Sequence, residues 1–168
     1  MLSMAMPIHR ATPADLEELL PLMRAMQLED PWSEPFVESA LRANLDQLLR
    51  LPSYGAVFLV REGSTPVAYL ALCFDFSLEY RGKGAWIDEL FVVPSCRGRG
   101  IGTQLLAQAE SASRELGAQC LHLEVNHENP AVALYRRRGF VDHDRYLMTK
   151  ALCHQEGARV AFRDSSGT

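Results

Sequence analysis

The sequence predicts a mixed α/β (α+β) domain with elements in the order β-α-α-β-β-β-α-β-α-β, a hairpin meander followed by a strand–helix–strand crossover. Two segments with apolar residues at helical spacing open the chain. Short β-branched apolar runs bounded by turn residues fill its middle. A long amphipathic segment then lies between two strand-like runs.

Ile8–Arg10 reads as a short first strand. In Thr12-Pro13-Ala14-Asp15, Thr12 suits a helix cap, Pro13 the first helical position, and Asp15 the positive end of the dipole. Leu16, Leu19, Leu20, Met23 and Met26 follow at helical spacing until Asp30-Pro31-Trp32-Ser33 breaks the pattern. A second helix is predicted from about Glu34 to Arg50, with Val37, Leu41, Leu45 and Leu48 on one face, ended by Leu51-Pro52. Ala56–Arg61 and Val67–Phe76, joined by Glu62-Gly63-Ser64-Thr65-Pro66, predict a hairpin. Ala85–Val93 is the next strand, stopped by Pro94. Thr103–Leu116 carries Leu105, Leu106, Ala109, Ala112 and Leu116 as a buried stripe, with Gly117 at its end. Cys120–Val125 predicts a strand, Asn129-Pro130 a further helix as far as Gly139, and Phe140 with Tyr146–Leu152 one or two last strands.

The 168 residues are 48% apolar and 23% charged, enough for one domain, placed at residues 1–152, with a polar, mobile tail over 153–168. The net charge of −4 argues against a nucleic-acid binder. The longest apolar run, Val67–Phe74, is far short of a membrane span, and Met1–Pro7 lacks the features of a secretory signal. Cys73, Cys96, Cys120 and Cys153 form no C-x-x-C pair, which disfavours zinc ribbons and disulfide frameworks and favours the reducing cytoplasm.

The chemistry concentrates where Ala85–Val93 meets the next helix. Arg97-Gly98-Arg99-Gly100-Ile101-Gly102 places three glycines at a strand-to-helix transition. Without Cβ atoms a ligand approaches the backbone closely, and the first helical turn offers unpaired N–H groups and a positive dipole end. That favours a phosphate or diphosphate, with Arg97 and Arg99 adding charge-assisted hydrogen bonds. No lysine follows the glycines, as a P-loop requires. Glu124 stands at a Rossmann-like distance, but the glycines read G-x-G-x-G and do not directly follow the strand.

This stretch resembles the diphosphate loop of the GNAT superfamily of N-acetyltransferases, whose pattern is Arg/Gln-x-x-Gly-x-Gly/Ala. Ile87–Pro94 is similar to that family's fourth strand, and Asn129-Pro130-Ala131-Val132-Ala133-Leu134-Tyr135 with Arg138-Gly139-Phe140 to its late segment. The resemblance covers about Ile8–Leu152 and implies a mostly antiparallel mixed sheet with helices on both faces. It implies acetyl-CoA as co-substrate, a primary amine as acceptor, no metal, and a homodimer as the usual assembly. A silent acyl-CoA-binding module of the same fold is the alternative.

In the family, acetyl-CoA lies between the splayed fourth and fifth strands. By resemblance, Leu90, Phe91, Val92 and Val93 bind the pantetheine arm and acetyl carbonyl through their backbones, with the N–H of Val92 as oxyanion donor. Arg97, Gly98, Arg99, Gly100, Ile101, Gly102 and Thr103 hold the diphosphate. Tyr135 matches the tyrosine that protonates the departing thiolate. Asn129 stands one residue closer to Tyr135 than its counterpart in many relatives, and so is either a CoA contact or only a helix cap, with Asn126 a substitute. Glu89 and Asp88 are the candidate bases. Adjacent strand residues point to opposite faces, which leaves one of them to serve, and Glu89 is preferred because it shares a face with Phe91 and Val93.

His122, Glu124 and His127 could be read as metal ligands, but alternating polar residues more often line an outward sheet face. Arg136-Arg137-Arg138 reads as a solvated helix face or a contact for the CoA 3′-phosphate. Acceptor contacts are expected in Gln27–Phe36 and Phe74–Arg81, where Glu29, Asp30, Trp32, Glu34, Asp75, Glu79 and Tyr80 mix acids with aromatics.

Overall fold

Alternating apolar residues on neighbouring strands set the architecture. The computed structural model describes residues 6–31, 36–150 and 152. Five strands lie side by side in chain order: β1 (Ile8–Arg10), β2 (Gly55–Glu62), β3 (Thr65–Ser77), β4 (Gly82–Val92) and β5 (Cys120–Leu123). The first four are antiparallel, and β5 joins β4 in parallel. Phe58 stands opposite Leu70, and Leu59 opposite Tyr69. Because strand side chains alternate, the first pair enters one core and the second pair the other.

One core lies under α3 (Ile101–Leu116), which contributes Ile101, Leu105, Leu106 and Ala109. The other lies under α1 (Leu16–Glu29) and α2 (Glu38–Arg50), which contribute Leu19, Leu20, Met23 and Leu45. Helices therefore cover both faces. The short α4 (Val132–Arg137) leans Leu134 and Tyr135 on the α3 core. No helix among the described residues is long and apolar enough to cross a membrane.

Several elements differ from the sequence reading. Thr12–Asp15 closes as a capping box around a single 3-10 turn ahead of α1. The predicted start of the second helix at Glu34 lies outside the described residues, and α2 is described from Glu38. The expected helix start at Pro130 moves to Val132, because Asn129 and Pro130 are used in the preceding turn. No strand forms over residues 138–150. There Val141, Tyr146, Leu147 and Met148 are exposed, so no burial supports a ladder. The predicted tail, 153–168, lies outside the described residues.

Asp15 ties the start of α1 to the sheet. Its Oδ2 accepts hydrogen bonds from Thr12 N at 2.7 Å and Thr12 Oγ1 at 2.9 Å, and its Oδ1 from Arg61 Nη2 at 2.6 Å. Burial disfavours the charge, yet these donors outweigh it and hold the carboxyl at about 2 instead of 3.8. A carboxyl with a depressed folded pKa stabilises the fold above its unfolded value, and that stability drains away as pH falls through the folded value. Asp15→Asn is therefore expected to cost about 2 kcal/mol at neutral pH. Its Tm deficit should narrow as pH falls from about 4 to about 2. Thermal melts across that range check this, and a deficit constant with pH would contradict it.

Candidate active site

β4 and β5 pair only from Gly84 opposite Cys120 to Ile87 opposite Leu123. β4 then runs on beside β3 to Val92, opposite Ala68. One edge of Asp88–Val92 therefore has no strand partner, which leaves backbone donors and acceptors for another occupant. Across the gap, Asn126 Nδ2 donates to Asp30 Oδ1 at 3.2 Å and links the loop after β5 to the end of α1.

Pro94–Cys96 turns the chain from β4 toward α3. Gly98 (φ 74°) and Gly100 (φ 82°) both take left-handed conformations. No atom lies within 4 Å of a Cβ built at either, so the requirement for glycine is conformational and the surface above stays open. The first helical bond of α3 runs from Gln104 N to the Gly100 carbonyl at 3.1 Å. The amides of Ile101, Gly102 and Thr103 thus lead the helix and have no partner within it. With the dipole of a 16-residue helix behind them, they suit an anion. A Cβ on Gly102 would come within 3.4 Å of Leu134 Cδ2, so this turn also packs on α4.

The two loop arginines are anchored by carboxylates. Arg97 Nε donates to the Val92 carbonyl at 2.9 Å and Nη2 to Glu29 at 2.6 Å, with the guanidinium 5.7 Å from the centre of the Phe91 ring. Arg99 Nη2 donates to Glu62 at 2.6 Å. The loop therefore presents main-chain amides at the start of α3, with both guanidinium groups held at its flanks.

The β3–β4 register pairs Ala71 with Glu89 and Leu72 with Ile87, which leaves Asp88 as the unpaired residue of a bulge. Ile87 enters the α3 core, while Phe91 and the neighbouring Glu89 lie on the α1 side. The bulge overrides strict alternation, and both carboxylates act on the same neighbours, Tyr69 and Cys73. Glu89 is 8% exposed, and its Oε2 accepts a hydrogen bond from Tyr69 Oη at 2.9 Å. Asp88 is exposed to solvent, and partial desolvation by its surroundings raises its carboxyl pKa. Burial, then Asp88 and Glu89, push the Cys73 thiol up to about 11.

Tyr135 is half-buried at the gap and packs edge-on against Phe140, with ring centres 5.9 Å apart. Burial, then the charge of Asp30, raises its phenol above the usual value of 10.0. Asn129 Oδ1 accepts from Ala131 N at 2.9 Å, so its side chain serves the turn before α4. Arg136 and Arg138 pair with Asp142 and Glu110. His122 packs edge-on against Tyr80 and at a tilt against Trp86. Among the described residues no three His, Cys, Asp or Glu side chains are grouped to hold a metal.

Sequence reasoning missed Tyr69, which is fully buried and whose hydroxyl contacts Glu89 and, at 3.2 Å, Met26 Sδ. The available signal was one hydroxyl within the apolar run Val67–Phe74, since a buried hydroxyl needs a partner. Trp32 and Glu34, expected on the acceptor side, lie outside the described residues.

Comparison with known proteins places this geometry. The chain is 37% identical over 87 residues to an aminoalkylphosphonate N-acetyltransferase of Salmonella typhimurium, a match spanning 51% of this chain and 56% of that enzyme. It is 32% identical over 108 residues to the peptidyl-lysine N-acetyltransferase YjaB of Escherichia coli, 62% of this chain and 63% of that one. Among solved structures, an integron cassette protein from the mobile metagenome of Cole Harbour Salt Marsh superposes with TM-score 0.77 at 30% identity, over 88% of this chain and 91% of that one. Aminoglycoside N-acetyltransferase AAC(6')-Iy, solved in complex with CoA, shares the fold with TM-score 0.74 at 19% identity, over 89% and 96% of the two chains. The family model for the acetyltransferase (GNAT) family matches residues 21–140, from within α1 through the glycine loop to the residue after Gly139, and the chain belongs to that family.

Proposed function

We propose that the protein transfers the acetyl group of acetyl-CoA to a primary amine by direct attack in a ternary complex. The observation that carries this reading is the glycine loop with two left-handed residues, opening the N-terminus of α3 beside the β4–β5 gap and Tyr135. An anionic diphosphate fits there, because the loop presents amides and dipole with no side chain in the way. Relatives named for aminoalkylphosphonate and peptidyl-lysine support an amine acceptor.

Acetyl-CoA supplies the acyl group as a thioester with a thiolate as leaving group. Gly98–Thr103 hold the diphosphate through main-chain N–H groups, with Arg97 and Arg99 bracing the loop. The free edge of Leu90–Val93 binds the pantetheine arm, and the Val92 N–H stabilises the acyl oxygen as it gains negative charge. An ammonium has no lone pair, so Glu89 takes its proton, directly or through one water at Asp88. The amine then forms the new C–N bond as the C–S bond breaks, Tyr135 gives the sulfur its proton, and the second proton that the new amide nitrogen sheds, passed through water, restores the phenol. An ordinary phenol (~10) protonating a thiolate (~8.5) is uphill by about 2 kcal/mol, a small part of an enzymatic barrier, and burial with the charge of Asp30 makes the Tyr135 phenol a weaker acid still. Cys73 stays a protonated thiol at neutral pH and is a poor nucleophile, which favours direct attack over an acetyl-enzyme. Asn129 acts as the cap of the turn before α4. The free thiols Cys73, Cys96 and Cys120 suit a reducing cytoplasm, and the resemblance adds a homodimer.

A thiol-release assay with a panel of amines tests the reading; saturable CoA binding with no turnover of any amine would favour a silent binding module. Tyr135→Phe is expected to lower kcat about 100-fold while the CoA Kd changes less than about threefold. An unchanged kcat removes Tyr135 from the mechanism. Tyr69→Phe removes a donor to the Glu89 carboxylate and so raises that group's pKa. The acidic limb of kcat/KM should move up by about one pH unit, with activity recovered at higher pH, while Glu89→Gln should lose the limb. A Tyr69→Phe protein with lower Tm and an unmoved limb would make this tyrosine purely structural.

A further inference from the structure

The face of the sheet that carries Glu89 also carries an aromatic group bonded to the Asp75 carboxylate, which has no ion-pair partner among the described residues. Elsewhere acids meet arginines: Glu29 pairs with Arg97, Glu62 with Arg99, and Glu110 with Arg138. On this face β3 presents Cys73 and Asp75, β4 presents Trp86 ahead of the Asp88 bulge, and β5 presents His122. None is lysine or arginine, and among the described residues neither Asp75 nor Asp88 has an ion-pair partner. Of the cations near this end, Arg145 is held by Glu79 at 3.1 Å, Lys83 donates to the Leu116 carbonyl at 3.3 Å, and Arg81 lies exposed in the β3–β4 turn.

The aromatic group is organised. The ring of His122 lies 4.9 Å from Trp86 and 4.9 Å from Tyr80, centre to centre. Trp86 Nε1 donates to Asp75 Oδ2 at 2.9 Å, which sets the carboxylate at the edge of the indole. Its other oxygen lies over Gly84, where a Cβ would come within 2.1 Å, so glycine makes the room for it. A countercharge beside a tryptophan is what an ammonium favours. This pair connects with the reaction centre: Cys73 stands opposite Trp86, and its thiol feels the charges of Asp88 and Glu89. Trp86 and Glu89 are three positions apart on β4, one of them the bulge, or roughly 7–10 Å.

We propose that the acceptor is an aliphatic diamine, its reacting primary amine at Glu89 and its second ammonium seated on the Asp75 carboxylate beside the Trp86 ring. This rests on the acetyl-transfer reading for the position of the reacting amine. Cadaverine and n-pentylamine have the same carbon chain and differ only in the second amine, so their ratio isolates the distal site.

Calorimetric titration of each amine into the full chain saturated with CoA is expected to show cadaverine binding at least about 10-fold more tightly. In Asp75→Asn, and separately in Trp86→Leu, that ratio should fall to about one, with thermal melts and CoA titration checking that each variant is folded. The ratio should also shrink with added salt. Equal affinities in the parent protein, or a ratio unmoved in folded Asp75→Asn, would overturn the diamine assignment. Turnover of the two amines is read in parallel: a large binding ratio without turnover overturns acetyl transfer alone, and equal turnover with equal affinity overturns the diamine alone.

Discussion

The bulge at Asp88 is the constraint on which the site depends. It falls directly after Ile87–Leu123, the last pair that β4 makes with β5. An unpaired residue bends its strand and increases the local twist, so β4 leaves its parallel neighbour there while keeping its ladder with β3. The gap, the edge of Asp88–Val92 that has no strand partner among the described residues, and the placing of Glu89 on the α1 side all follow from that one residue. Arg97 consolidates the arrangement by bonding the Val92 carbonyl and bridging to Glu29 on α1.

β4 also divides the chemistry into two halves of opposite electrostatic character. Leu90 and Val92 pack toward the α3 core, where the helix N-terminus and glycine loop favour negative charge. Glu89 and Phe91 lie on the α1 side, where the Asp75 and Asp88 carboxylates and aromatic rings favour positive charge. An anionic donor and a cationic acceptor would thus approach one strand from opposite sides and meet at its unpaired edge. Separating the charges also keeps the carboxylates from repelling the diphosphate.

Local chemistry was legible in the sequence, and long-range geometry was not. Gly98, Gly100 and Gly102 marked a strand-to-helix loop that a ligand can approach, and the apolar runs Ala56–Arg61 and Val67–Phe76 with the turn residues between them marked the hairpin, because each depends on residues close in sequence. Asp88 looked like any alternating position, since nothing local marks which residue a ladder leaves unpaired. The arginines of the loop looked free for phosphate, but their carboxylate partners are 68 and 37 positions away. Tyr69 and Glu89, 20 positions apart, meet only through the register of β3 and β4. Tyr146–Leu152 had strand composition, yet composition is not burial, and Tyr146 is 97% exposed.

An amide-resolved NMR titration of the full chain with CoA tests the central claim most directly. The account predicts saturable perturbations largest at the backbone amides of Gly98–Thr103 and extending to Leu90–Val93, and their loss in Gly100→Glu, where a side chain and a negative charge enter the loop. Saturable binding that leaves these amides unmoved, or no binding by a folded protein, would contradict it.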